Sequence, residues 1–255
     1  MTIAAGFVAN DGMLLCADSQ QTISGYIKTY EGKVVTHILR EPPLVIAIVG
    51  AGTVPYVKTA SAAILKDFPN IEMLDDIENH FKERLLTFFD KHLSPWASFP
   101  DRERPTVELL IGVTGRNTPH ALFHYEGTSF CRSGTKAIGD GVLLANDLIH
   151  RYCFGNYTLS QLTALAIYIL SKVKKGVDGC GGSTHIVALR KGLTFAMADN
   201  GEITKLEAEF LKLESTSDKA FAASVVKRPP SLRWFSQNRQ KILKPSTAQK
   251  SGSGP

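Results

Sequence analysis

The 255-residue chain has no run of about 18 uninterrupted apolar residues, so no membrane-spanning helix is expected. No Lys or Arg precedes the first apolar stretch of MTIAAGFVANDG, and no secretory signal peptide is expected there. Cysteine is scarce. Cys16, Cys131, Cys153 and Cys180 are scattered without a CxxC pair, which argues against a zinc site and a disulfide framework and points to a reducing cytoplasm. GxSxG, GxxxxGKS/T and a GxGxxG opening a helix are all missing, which removes the common serine-hydrolase and nucleotide-binding motifs. No internal repeat is visible. Acidic residues are missing beyond Val226, where seven Lys and Arg (Lys227, Arg228, Arg233, Arg239, Lys241, Lys244, Lys250) stand unopposed. The remaining 22 of the 29 basic residues face all 24 Asp and Glu, a net of −2 over residues 1–226. The overall charge of +5 therefore belongs to the tail. With Trp234 and Phe235 such a tail could touch nucleic acid, but it shows no binding motif and reads as a solvated extension. The division expected is a domain over residues 1–226 and a basic tail over 227–255.

What is present is a globular composition, 44% hydrophobic and 21% charged, which excludes a collagen-like or wholly disordered chain. Thr2–Ala9 and Met13–Ala17 read as strands joined by the turn Asn10-Asp11-Gly12. Apolar residues on both sides of the alternation imply a sheet buried on both faces. A polar excursion from Ser19 to Gly32 precedes strands at Lys33–Val35 and Leu44–Val49. Helical periodicity follows over Thr53–Phe68 and Leu74–Leu93, then strands at Val107–Val113, His120–Tyr125 and Phe130–Cys131. Helices are expected from about Gly141 to Tyr152 and from Leu159 to Lys174, the latter capped by Thr158. A strand pair (Thr184–Leu189, Leu193–Met197) and a short helix near Lys205–Leu213 close the series. This order fits an α+β chain with two sheets and a helical layer on each outer face.

Two weak chemical candidates can be set aside. His120 and His124 share a strand face, but without a nearby carboxylate they make a poor metal site. Cys16 lies in a wholly apolar strand, which suits a small core residue better than a nucleophile. The stronger feature is Thr2. Initiator Met is commonly excised before small side chains, and excision leaves the Thr2 hydroxyl beside its own α-amine. That amine titrates near pH 8, about 7.7–8.0, and can serve as the base that a threonine hydroxyl requires.

The pattern Thr2-Ile3-Ala4-Ala5-Gly6, Asn10-Asp11-Gly12, Cys16-Ala17-Asp18-Ser19 and Lys33-Val34-Val35 resembles the start of proteasome β-type subunits and their bacterial HslV-like relatives, N-terminal-nucleophile (Ntn) hydrolases of the threonine peptidase class. Gly50-Ala51-Gly52 is similar to the family's oxyanion-hole turn, Gly139-Asp140-Gly141 to its Gly-Ser-Gly, and Cys180-Gly181-Gly182 to its Ser-Gly-Gly. The resemblance implies a four-layer αββα sandwich of two antiparallel sheets flanked by helices. It implies Thr2 as nucleophile, Lys33 as charged partner or base, Asp18 as the carboxylate holding Lys33, and Ala51 as backbone oxyanion donor. Asp140 and Cys180 stand where the family has Ser, and Asp178 stands for the supporting Asp. Gln21, Val49, Gly50 and Gly52 would bind substrate, with Val49 shaping an apolar specificity pocket. If Thr2 instead matched the family's second Thr, Met1 would occupy the nucleophile position and the chain would be inactive.

No cofactor or metal is implied. The expected partners are a peptide or unfolded-protein substrate, further copies of the chain in a ring, and an ATP-dependent unfoldase, with no membrane and no nucleic acid. Two other readings stay open: a structural subunit without catalysis, and an amidase acting on a small amide.

Overall fold

The N-terminal hairpin forms from β1 (Ile3–Ala9) and β2 (Gly12–Asp18), antiparallel across the turn at Asn10-Asp11. Almost every residue of both strands is buried, as their unbroken apolar runs require. This computed structural model describes residues 2–23, 27–30, 32–153, 155–190 and 194–212. Met1, the basic stretch 227–255, and the ends at Leu193 and Leu213 of the last expected strand and helix lie outside the described residues.

The polar excursion contains two strands that were not expected. β3 (Gln20–Ile23) and β4 (Ile27–Tyr30) pair as a small sheet of their own. Next come β5 (Val34–Leu39), β6 (Leu44–Gly52), α1 (Val54–Leu65) and α2 (Leu74–Phe88). Helix α1 ends at Leu65, short of the expected Phe68: Lys66 is already extended and Asp67 takes a φ of +49°, and Pro69 disfavours helical backbone at Phe68. The second helical stretch changes at Phe89 to a wider turn through Leu93. β7 (Val107–Gly115), β8 (Ala121–Glu126), β9 (Ser129–Ser133) and β10 (Thr135–Gly139) follow. β10 was not among the expected strands; it is one because its backbone pairs with β1, Ile3 opposite Gly139. α3 (Val142–Tyr152), α4 (Leu159–Gly176), β11 (Thr184–Arg190), β12 (Thr194–Met197) and α5 (Asn200–Lys212) complete the order.

Two five-stranded antiparallel sheets result, in the orders β10-β1-β2-β11-β12 and β5-β6-β7-β8-β9. The architecture is α+β, as expected. One apolar cluster packs Phe7, Leu14 and Cys16 of the first sheet against Leu165 and Ile169 of α4. A second packs Ile46, Ile111 and Phe123 of the other sheet against Ile64 of α1 and Phe81 of α2. A third joins the sheets to each other, with Met13 and Leu15 meeting Val45, Val49 and Leu110. Helix α4 is apolar on nearly all sides because it is buried along most of its length. Thr158 starts it with a capping box, its hydroxyl accepting from Gln161 N while the Gln161 side chain accepts from Thr158 N. Such a cap stabilises by about 1 kcal/mol. Among the described residues no helix is long and apolar enough to cross a membrane.

Candidate active site

The register of the first sheet brings the site together. β1 lies between β2 and β10, with Ala4 opposite both Ala17 and Ile138. Thr2, one residue before β1, therefore falls between the end of β2, at Asp18, and the turn after β10, at Asp140. Lys33, just before β5, reaches in from the second sheet, its side chain only 6% exposed. Its Nζ donates to Thr2 Oγ1 at 2.9 Å, to Asp18 Oδ1 at 2.6 Å and to the Gln20 carbonyl oxygen. Those three contacts match the three donors of an ammonium.

Asp18 is fully buried and would be costly to hold as an isolated charge. It is paired with Lys33 and also accepts from Ile3 N at 3.2 Å and Gly181 N at 2.8 Å. Burial lowers the Lys33 pKa from its ordinary value, opposed by the charge and hydrogen bond of Asp18. The lysine thus gives up its proton more readily than one in water while still aimed at a hydroxyl.

On the other side, Thr2 N donates to Asp140 Oδ2 at 2.8 Å. Gly139 makes this approach possible. Its φ is +91°, and a Cβ there would lie 2.4 Å from the Thr2 carbonyl oxygen. The same Cβ would come within 3.1 Å of Ala51 Cβ, so the end of β6 lies against this turn as well.

The remaining expected site residues are placed differently from one another. Gln21, Gly50 and Gly52 line a cavity of about 620 Å³ that also includes Thr2 and Lys33 and is walled by apolar side chains such as Ile48 and Val57. Ala51 is 4% exposed, with its side chain in the cluster between the sheets. Cys180 is buried near Gly141, and its thiol is pushed up to about 12 by burial, then by the charges of Asp18 and Asp140, so it stays protonated. Asp178 is exposed and joins this network through its carbonyl oxygen, which accepts from Gln20 Nε2 at 3.2 Å.

Val49 requires a correction. It is fully buried between the sheets and does not line the cavity; its neighbours Ile48 and Gly50 do. Successive strand residues point to opposite faces, so a pocket on the Ile48 face cannot be shaped by Val49. Cys16 is fully buried, and burial raises its thiol pKa, in keeping with a core residue. Gln20, which holds Lys33 through its carbonyl oxygen, was not foreseen, and Gly181, quoted only as part of a motif, was given no such role although its N–H holds Asp18. Backbone donors and acceptors leave no trace in residue type.

No family model matches the chain, and no curated protein does. Solved structures do match. The Gly-1 mutant of Anbu from Hyphomicrobium sp. strain MC1 superposes with a TM-score of 0.69 at 12% identity, covering 88% of this chain and 99% of its own. Anbu, described as an ancestral beta-subunit, from Yersinia bercovieri gives 0.67 at 12% identity, covering 91% and 100%. The helical assembly of the Anbu complex from Pseudomonas aeruginosa gives 0.68 at 13% identity, covering 90% and 98%. At such identities the likeness is one of fold. It corrects the resemblance to proteasome β-type subunits and HslV-like enzymes: the matching fold is that of Anbu proteins. Several residues behind the earlier resemblance are glycines required by close backbone approaches, as at Gly139, and they report a backbone path more than a lineage.

Proposed function

We propose that this chain is a hydrolase with an N-terminal threonine nucleophile, cleaving peptide bonds once Met1 has been removed. The observation that carries the reading is Lys33 Nζ, held by Asp18 at 2.6 Å and aimed at Thr2 Oγ1 at 2.9 Å. Oγ attacks the scissile carbonyl carbon, and its proton passes to the free Thr2 amine, or to Lys33 in its deprotonated form. The tetrahedral oxyanion takes a hydrogen bond from the backbone N–H at Ala51, a kind of contact worth about 10²–10³ in rate. Collapse breaks the C–N bond, and the protonated base returns its proton to the departing amine. The resulting threonine ester is hydrolysed by a water molecule activated by the same amine. Asp140 orients that amine, and Asp18 keeps Lys33 in place.

The cavity beside Thr2, walled by Ile48, Val57 and Leu65, supports an apolar side chain next to the cleaved bond. The three apolar clusters support the finer architecture, a four-layer αββα sandwich, and the charge distribution of the sequence supports a division into a domain over 1–226 and a basic tail over 227–255. The helical assembly of the Anbu complex supports self-assembly of this chain too. A cytoplasmic location and an ATP-driven unfoldase feeding such an assembly belong to the same proposal.

Intact-mass measurement with N-terminal sequencing tests the reading first, followed by cleavage of fluorogenic peptides with apolar side chains. A chain lacking Met1 whose cleavage vanishes in Thr2→Ala is expected. A fully retained Met1 in a host that processes such termini, or unchanged cleavage by Thr2→Ala, overturns it in favour of a structural subunit.

A further inference from the structure

We infer that Glu108, His124 and Glu126 form a binding site for a divalent transition-metal ion of the zinc or manganese type. Strand pairing builds the group. Glu108 lies directly opposite Glu126 across β7 and β8, and His124 precedes Glu126 by two residues on the same face. One donor atom from each residue lies within 4.8 Å of the others. His124 Nε2 is 3.6 Å from Glu108 Oε1, beyond hydrogen-bond length and close to the roughly 3.3 Å that separates two ligands of a tetrahedral zinc ion.

The imidazole itself points to a ligand. His124 is 6% exposed, and its buried Nε2 has no hydrogen-bond partner among the described residues. At 3.6 Å from Glu108 the buried ring nitrogen is within ion-pair range but makes no hydrogen bond, and a cation shared with the carboxylates would satisfy it. The absence of a nearby carboxylate, which counted against this histidine in the sequence, is thus removed by the register.

Glu108 is prepared for the role. Its second oxygen, Oε2, accepts from Gly139 N at 3.0 Å, which fixes the carboxylate and leaves Oε1 turned toward His124. Glu126, exposed at the end of β8, gives the site its opening to solvent. One imidazole and two carboxylates suit Zn²⁺, Mn²⁺, Fe²⁺ or Co²⁺, and three protein ligands leave room for water. Through Gly139 the site is also linked to the turn that carries Asp140.

The test uses the full chain, stripped with a chelator and dialysed against Zn²⁺ alone, with bound metal measured by mass spectrometry and affinity by competition with a chromophoric chelator. One Zn²⁺ per chain is expected, bound at least tenfold more weakly by Glu126→Gln and by His124→Gln. Glu126→Gln alters only an exposed strand end, so it carries the test alone if His124→Gln does not fold. No saturable binding at millimolar Zn²⁺, or wild-type affinity in Glu126→Gln, overturns the inference.

Discussion

The Asp140 carboxylate meets the Thr2 backbone nitrogen at 2.8 Å, joining the turn after β10 to the start of β1. Once Met1 is removed, that nitrogen becomes an amine, and the contact becomes a charge-assisted hydrogen bond whenever the amine holds its proton. Such bonds contribute about 1.5–3 kcal/mol, which corresponds to roughly 10–150-fold in rate if the contact positions the base. Asp140→Ala is therefore expected to lower kcat in that range with KM little changed. Asp140→Asn, which keeps an acceptor oxygen, should lose less. Steady-state cleavage of an apolar peptide distinguishes the two variants, and equal losses would show that charge matters more than position.

The lowered Lys33 pKa sets a pH dependence. Burial favours the neutral amine in the folded chain, so between the folded pKa and the ordinary value of 10.5 the unfolded chain binds more protons. Stability contributed by this group accordingly rises with pH across that window and is lowest below it. Lys33→Arg stays charged throughout and keeps a cation beside Asp18. The difference in unfolding free energy, wild type minus Lys33→Arg, should increase between neutral and alkaline pH in urea titrations. The comparison cancels the buried thiols, which shift the other way. The same variant should reduce cleavage by about 10²–10⁴, the usual worth of a positioned base.

How much of this was legible in the sequence depended on whether periodicity carried parity. The β1–β2 hairpin was readable because Asn10-Asp11-Gly12 marks the turn between two apolar runs. Thr2 could be named from its hydroxyl and its place after Met1, whereas Asp18 and Lys33 came only with the family resemblance, since their approach to Thr2 depends on pairings far apart in the chain. Val49 was misplaced because Leu44–Val49 is apolar throughout, so nothing in it tells which residues face the cavity and which the other sheet. β10 is short and begins with polar residues, and it exists through its pairing with β1. The Glu108–His124–Glu126 group was invisible for the same reason: it is a product of register.

Gly139 tolerates no side chain. Alanine at a positive φ costs about 1–2 kcal/mol, and here its Cβ would also stand 2.4 Å from the Thr2 carbonyl oxygen. Gly139→Ala should therefore destabilise the fold by at least about 2 kcal/mol. It should also abolish cleavage, because Thr2 must move. Urea unfolding and peptide cleavage measured on the same preparation check both effects, and a fully active, equally stable variant would contradict the close approach.

Specificity separates the cavity wall from the core behind it. Val35 lines the cavity and is 50% exposed, so Val35→Trp should narrow it at little cost in stability. KM for peptides with a large apolar side chain at the cleaved bond is expected to rise several-fold, while small side chains are cleaved as before. Val49 has the opposite signature. Val49→Ala removes two buried methyl groups between the sheets and should cost roughly 2 kcal/mol in unfolding free energy. Its ratio of kcat/KM between large and small side chains should match the wild type. Measuring that ratio alongside the urea midpoint for both variants tests the pleat directly. A changed preference in Val49→Ala with an unchanged one in Val35→Trp would reverse the assignment of faces across the paired strands β5 and β6, where Val35 lies opposite Ile48.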